Sequence, residues 1–571
     1  MHCLFLVIVL NNLKQKYINS AMLLMLASVV VKVISAIYKI PLTSYIGATG
    51  RGYFNIAYNL YMPVHAVIMG AFPVALTHLI SKYSEQGNKA KIYALKKASG
   101  RLFFIIGVLG TVFMFVAAKP YVTLISSDKS APAILILAPT VLFSSMAASK
   151  RAFAEGHMNM VPTSVSQVLE AVFKMVFGLL FAKLSMGYLY NEYMKTSAVL
   201  GTLCSSEEEA LSLIYPITSA AAIGGVTVGA FLSWVYSSAY VSVKYKPLYP
   251  PVKGCKTYEN MREIISFSIP IIAATLIQSI SEFIDHSSVQ YCLSACDVNM
   301  LKQAYAECIK INNTSDADIP TYIFGLFSSA HDLKNLVPGF TMALGVAAVP
   351  ALTSAYASGD KEHISSLINS IFKYTSIVAF AGGFFLSLNA RYMLEILYGN
   401  SNYDIVLGCT DIVRFYGFTM ILFCLSGAAV FSVQSIGCAS KSIPSFVIAA
   451  IIRIALNFVL VSDYRINIYG AAVSDAVAYV IILVANMYIL AKNAGVKYSL
   501  FKIIIKPLFC SAASYFITVF AYNSLFDFQS PFAVFVVLSI INISCFTLFA
   551  ILSKTIEFSE LKTLQHCKKS A

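Results

Sequence analysis

Stretches of about twenty residues without Asp, Glu, Lys or Arg recur along this sequence, and the run from Pro531 to Ser553 is one of them. A soluble fold cannot absorb many such runs, because its surface is built largely from charged and polar side chains. Here 58% of the 571 residues are hydrophobic and only 12% are charged, against about 25% charged in ordinary soluble domains. The chain therefore reads as an all-α polytopic membrane protein. An outer-membrane barrel is excluded, since barrel strands alternate apolar and polar residues and these runs are continuous.

Apolar windows of about 19 residues give about fourteen transmembrane helices. They lie near 20–40, 53–80, 102–118, 131–149, 161–183, 213–240, 264–287, 322–352, 366–388, 411–433, 443–462, 468–491, 503–522 and 531–553. The net charge of +14 would point to nucleic acid in a soluble protein; here it sorts by side of the bilayer. With a cytoplasmic N-terminus, the inner segments and adjoining span ends hold 26 of the 41 Lys and Arg and the outer segments nine. An even number of spans with both termini cytoplasmic follows from the positive-inside rule, and no nucleic-acid partner is expected. Met1–Leu10 resembles a signal-peptide core but lacks a basic start and a small-residue cleavage site, so it reads as an extension. No Cys-x-x-Cys occurs; Cys292, Cys296 and Cys308 share one outer segment and read as free thiols or a pair.

The chain also repeats itself. Phe72-Pro73-Val74-Ala75-Leu76-Thr77 followed by Gly87-Asn88-Lys89 resembles Val349-Pro350-Ala351-Leu352-Thr353 followed by Gly359-Asp360-Lys361. Gly156, Pro162 and Lys174 parallel Gly437, Pro444 and Arg453, and Ala220–Ala230 resembles Gly470–Ala478. The expected organisation is an extension (1–17), a lobe of six spans (18–243), a cytoplasmic linker (244–259), a second lobe of six spans (260–492), two added C-terminal helices (493–553) and a cytoplasmic tail (554–571). Both lobes start from the same side, so the repeat is parallel and places a substrate cavity near the midplane. The polar outer segments 184–212 and 290–321 read as solvated insertions.

Ionisable residues inside the bilayer mark function or a partner. Lys32 and Lys39 lie seven apart on one face of the first span. Glu170 and Lys174 stand at i,i+4, the favourable order for a local pair. Glu282 and Asp285 are three apart with His286 beside them: either a candidate ion-coupling site, since two neighbouring carboxylates favour a shared proton or cation, or a water-facing helix end. Asp411 and Arg414 read as structural. His331, Asp332 and Lys334 interrupt the eighth span beside Pro338 and Gly339, and Arg453 and Asp475 sit on the eleventh and twelfth spans as a candidate pair. The recurrence of Lys32, Lys39, Lys174 and Arg453 suits an anionic substrate such as a phosphate or pyrophosphate. No P-loop, His-Glu-x-x-His or Gly-x-Ser-x-Gly is present. Transport is the simplest reading: no catalytic residue, metal or cofactor is expected, and the drive is a coupling ion or the membrane potential.

Tyr38-Lys39-Ile40-Pro41-Leu42 with Ile46-Gly47-Ala48-Thr49-Gly50-Arg51-Gly52-Tyr53, and Gly156-His157-Met158-Asn159-Met160-Val161-Pro162-Thr163 with Ser166-Gln167-Val168-Leu169-Glu170, resemble the motifs of the SpoVB/YtgP-type flippases. That family belongs to the MOP superfamily, beside MurJ, the Wzx flippases and, more distantly, the MATE exporters. The resemblance implies a plasma-membrane flippase that moves undecaprenyl-pyrophosphate-linked oligosaccharide, such as lipid II, by alternating access, with the bilayer and cell-wall synthesis proteins as partners. It implies pyrophosphate contacts for Lys32, Lys39 and Arg51, and it matches Glu170 and Lys174 to the family's fifth-span acid and base. From the residues themselves, Lys174 and Arg453 join the cavity cations, and Glu170 joins Glu282 and Asp285 as a candidate for ion coupling. Glu155 departs from the family pattern, and only Lys334 stands near the eighth-span arginine of MurJ-like proteins. The alternative is a MATE-like cation-coupled exporter with Glu282 and Asp285 as its coupling site.

Overall fold

The computed structural model describes residues 2–245, 248–249, 257–339, 341, 352–353, 355–356, 359–399, 401–525 and 530–555. Almost all of it is helix. Among the described residues, eleven helices are long and apolar enough to cross a membrane, so the chain is a multi-pass helical membrane protein. Ten of them take up one expected span each. The eleventh, α1 (His2–Glu85), runs through both of the first two because they join across a break at Gly47. The expected seventh span lies within α6 (Thr257–Ala295), and the eighth begins on Ile319–Lys334 and passes into 342–351, outside the described residues. The count of fourteen therefore stays an expectation.

The outer segments differ from the loops expected for them. No proline stands between 184 and 196, so α4 (Val161–Thr196) continues as helix until Ser197 takes a left-handed turn. Its 36 residues span about 54 Å, well beyond a hydrocarbon core of about 30 Å. A two-residue hairpin, Ala198–Val199 with Thr202–Leu203, then leads into α5 (Glu207–Tyr245). The second segment is also mostly helical, with α6 running to Ala295 and short helices at Val298–Ala304 and Ala306–Asn312. Cys292, Cys296 and Cys308 are unbridged thiols.

The chain divides into two compact units, Met1–Ser294 with Asn313–Gly325 and Ala295–Asn312 with Leu326–Ala571. In hydrocarbon, apolar burial does not drive helices together, and close backbone packing at small residues does. Each unit has such a crossing. In the first, a Cβ on Gly225 of α5 would fall 2.2 Å from the Gly178 nitrogen of α4. In the second, Gly383 of Lys361–Tyr398 and Gly417 of Tyr403–Ser435 stand so close that a Cβ on either would lie 2.4 Å from the other's carbonyl oxygen.

The first repeated motif has the same local structure in both places. Gly87 and Gly359 adopt positive φ (65° and 73°), and the next residue caps a helix: the Asn88 side chain accepts from the Lys91 amide and Asp360 from the His363 amide, each at 3.0 Å. The second motif does not repeat its geometry. Gly437 is left-handed, whereas Gly156 is right-handed and Met158 carries the positive φ of its turn.

Replacing Gly225 with Ala should cost about 1–3 kcal/mol through overpacking. Gly100→Ala, inside α2 (Lys89–Leu124) with nothing within 4 Å of the new Cβ, should gain about 0.5–1 kcal/mol. Thermal unfolding of the purified variants in detergent measures both.

Candidate functional site: a basic recess in the first unit

The recess forms because α1 breaks. Gly47 has φ 62° and ψ −176°, a combination open essentially to glycine alone. In an unbroken helix Lys39 and Arg51 would stand about 18 Å apart along the axis. Instead both line one recess, with Ser35, Tyr38, Leu42, Phe54, Asn55 and Lys174. Arg51 is almost fully buried and donates from Nη1 to Thr43 Oγ1 at 3.1 Å, while Thr43 donates to the Lys39 carbonyl at 2.7 Å. The Lys174 ammonium lies 5.6 Å from the Tyr38 ring centroid and 5.1 Å from that of Tyr58. Gly178, one turn beyond Lys174, leaves room for Tyr38: a Cβ there would sit 2.6 Å from the phenol oxygen. Three cations from two helices thus line one space, with Tyr38, Leu42 and Phe54 as its aromatic and aliphatic walls and Ser35 and Asn55 as its neutral polar groups. Lys32 is exposed on α1 and is not part of this lining.

Beside the recess, Glu170 has a partner that sequence reasoning did not single out. Arg151, 5% exposed at the end of α3 (Ala131–Glu155), donates from Nη2 to Glu170 Oε2 at 2.8 Å and to Ser233 Oγ at 2.5 Å, and from Nε to Ser166 Oγ at 2.7 Å. Lys150-Arg151 reads in sequence as an inner flank of the fourth span. Its distance from Ser166, Glu170 and Ser233 along the chain concealed that a buried cluster forms there.

The Gly156–Thr163 motif builds a turn that ties helices together. His157 Nδ1 donates to the Phe153 carbonyl at 2.8 Å, and Nε2 accepts from the Tyr249 hydroxyl at 2.6 Å. Asn159 Nδ2 donates to Tyr240 and Tyr245 at 3.2 and 3.0 Å. Glu155 accepts from Thr163 at 2.6 Å and from Thr77 at 3.5 Å, so the residue that departs from the family pattern fastens two of the motifs. Burial, reinforced by the charge of Lys96, holds the His157 ring below its ordinary pKa, against a smaller upward pull from its bond to Phe153.

In the second unit Arg453 and Asp475 pair, Nη1 to Oδ1 at 3.2 Å, and Lys334 joins them, donating to Asp475 Oδ2 at 2.6 Å with only 1% of its surface exposed. Lys334 also lies over the rings of Tyr416 and Tyr479 at 5.1 and 5.4 Å. Asp285 is buried and Glu282 exposed, so the two carboxylates meet different surroundings; His286 donates to Asn59 Oδ1 at 3.2 Å. Asp411 and Arg414 form an exposed pair at 2.9 Å.

A helix broken at glycine, basic residues in one recess and long helical pairs lie within a fold that other proteins share. It is the fold of solved MOP-superfamily proteins. A structure of the lipid II flippase MurJ in an inward closed conformation superposes with a TM-score of 0.66 over 93% of this chain and 99% of that one, at 13% identity. An inward-facing multidrug resistance MATE family transporter of the MOP superfamily gives 0.58 over 80% and 98%, at 15% identity. In sequence, residues 18–206 match the family described as polysaccharide biosynthesis protein. The chain is 21% identical to the lipid II flippase MurJ of Bacillus subtilis (strain 168) over 86% of its own length and 85% of the relative. It is 20% identical to the stage V sporulation protein B of the same organism over 84% of each. The resemblance read from the motifs agrees with these matches, two of which are to a protein described as a lipid II flippase and one to the stage V sporulation protein.

Arg151→Met should destabilise the protein by about 3 kcal/mol, the low end for a broken buried pair because 30% of the Glu170 side chain is exposed. The double variant Arg151→Met/Glu170→Leu should recover most of that loss in thermal unfolding. Because the folded state disfavours protonated His157, stability should be complete above about pH 6.5 and fall as the unfolded chain takes up the proton below it. Melting temperatures between pH 7.5 and 5.5 should show that slope in the parent and a shallower one in His157→Gln.

Proposed function

We propose that this protein is a flippase that carries undecaprenyl-pyrophosphate-linked oligosaccharide, lipid II or a similar cell-wall or polysaccharide precursor, across the plasma membrane by alternating access. The observation that carries the reading is the convergence of Lys39, Arg51 and Lys174 on one recess. A pyrophosphate offers several anionic oxygens, and a low-dielectric pocket with three cations suits it by Coulomb attraction and charge-assisted hydrogen bonds. The aliphatic wall at Leu42 and the apolar exterior of the helices suit a prenyl chain that stays in lipid. Lys32, on the exposed flank of the same helix, would meet the headgroup on its way in. Arg453 and Lys334, shared by Asp475, would act on charge balance in the second unit. Glu170, Glu282 and Asp285 remain the candidates for ion coupling. Cell-wall synthesis enzymes that use the delivered precursor are the expected partners. A cation-coupled exporter of cationic compounds is the weaker alternative, because its binding site calls for acidic residues where this recess has basic ones.

The positive-inside count supports both termini on the cytoplasmic side. A membrane-impermeant thiol reagent added to intact cells should then modify Thr202→Cys at the hairpin and spare Asn88→Cys.

Substrate and direction are tested together in cells depleted of their lipid II flippase, with lipid II measured in each leaflet. Rescue with lipid II in the outer leaflet is expected. Lys39→Met or Arg51→Gln should lower translocation about tenfold to a hundredfold, the loss expected for one hydrogen bond to a charged group, with membrane abundance unchanged. Full rescue by the Lys39→Met/Arg51→Gln double variant would refute the recess as the pyrophosphate site.

A further inference from the structure

Residues 313–325 follow the sixth span of the first repeat by a whole span and belong by sequence to the second, yet they are part of the first compact unit. Their attachment centres on one carboxylate. Asp318, 3% exposed, ends a short 3-10 turn that feeds Ile319–Lys334. It accepts from the Tyr53 hydroxyl at 2.6 Å, from Lys129 Nζ at 2.9 and 3.0 Å and from Ser315 Oγ at 2.9 Å, and Lys129 also donates to Ser212 at 2.6 Å. Two separate elements of the first repeat, at Tyr53 and Lys129, thereby meet on it, and Lys129 ties in a third through Ser212. The backbone contact below is as close: a Cβ on Gly52 would lie 2.2 Å from the Thr321 carbonyl oxygen, and one on Gly325 would lie 1.9 Å from that of Ala48. Thr321 further shares a hydrogen bond with Ser127 at 3.3 Å.

We propose that Asp318, held by Tyr53 and Lys129, is the latch that keeps the outer end of the transport path shut, and that its release lets that end open. The side rests on the orientation proposed above; the latch itself does not depend on which lipid is carried. Two features suit a reversible closure. The Lys129 side chain is 35% exposed, so separation returns both charges to water instead of stranding them in hydrocarbon, and the hydration recovered offsets the lost attraction. The turn that holds the latch also belongs to the recess: Arg51 lines it, while Gly52 and Tyr53 face residues 318–325. An anion drawn onto Arg51 acts on the same turn that Asp318 clamps.

The test reads closure directly. Asn55 lines the recess, and Asn55→Cys reports its access to an impermeant maleimide added outside intact cells, measured above the labelling of the protein without that cysteine. Asp318→Asn should raise the labelling rate about tenfold, the effect of losing one charge-assisted hydrogen bond. Lys129→Glu and Asp318→Lys should each do the same, and their combination should bring the rate back toward the parent. An unchanged rate in Asp318→Asn, or a double variant as open as the singles, overturns the latch. If a single variant fails to accumulate, the charge-swapped pair and Lys129→Gln decide the matter. Because labelling needs no lipid substrate, failed rescue of lipid II transport leaves this result readable, and Thr202→Cys reports separately on orientation.

Discussion

A charge placed in hydrocarbon must be met by an opposite charge, by hydrogen-bond partners or by water, and that requirement shapes both units. Arg151 meets Glu170 with Ser166 and Ser233 around it; Lys334 and Arg453 meet Asp475 with Tyr479 beside them. These clusters hold helices together through partners that cannot be withdrawn cheaply. Lys39, Arg51 and Lys174 form a second arrangement: they line one recess, with Arg51 bonded to Thr43 and Lys174 over the Tyr38 and Tyr58 rings.

Glycine makes the second arrangement possible. The break at Gly47 turns α1 so that two cations twelve residues apart serve one recess, and Gly178 opens space for the Tyr38 ring against which Lys174 rests. At Gly225 and Gly178, and again at Gly383 and Gly417, backbones touch where any side chain would intervene. Dispersion contacts of this kind replace the apolar driving force that a bilayer cannot supply. Gly52 and Gly325 bring the same contact to residues 318–325, so the segment with the Asp318 latch is seated by shape and fastened by charge.

Much of the fold was legible before the structure because hydrocarbon allows so few solutions. The apolar windows found the helices, and the Gly-Asn-Lys and Gly-Asp-Lys signals found two caps of the same geometry. The segments 184–212 and 290–321 were misjudged as loops: their polarity was visible, but helix needs only propensity and an absence of breakers, and both were present. At the site, Lys39 and Lys174 were readable as intramembrane cations, Arg51 through the motif that carries it, and the Arg453–Asp475 pair from its two spans. Arg151, the third partner Lys334, and the Asp318–Lys129–Tyr53 group were not, since their members lie far apart in the chain and two of the basic residues look like ordinary flanking charges.

The sequence alone determined that this chain crosses a membrane as helices and carries cations where lipid would reject them, because the cost of burying charge and bare backbone depends only on residue type and span length. Which cations share a carboxylate, which line a recess and which fasten a segment of the second repeat to the first was decided by tertiary structure. Those outcomes turn on distances of a few ångströms between distant residues, set by where a glycine bends a helix and where two backbones can touch.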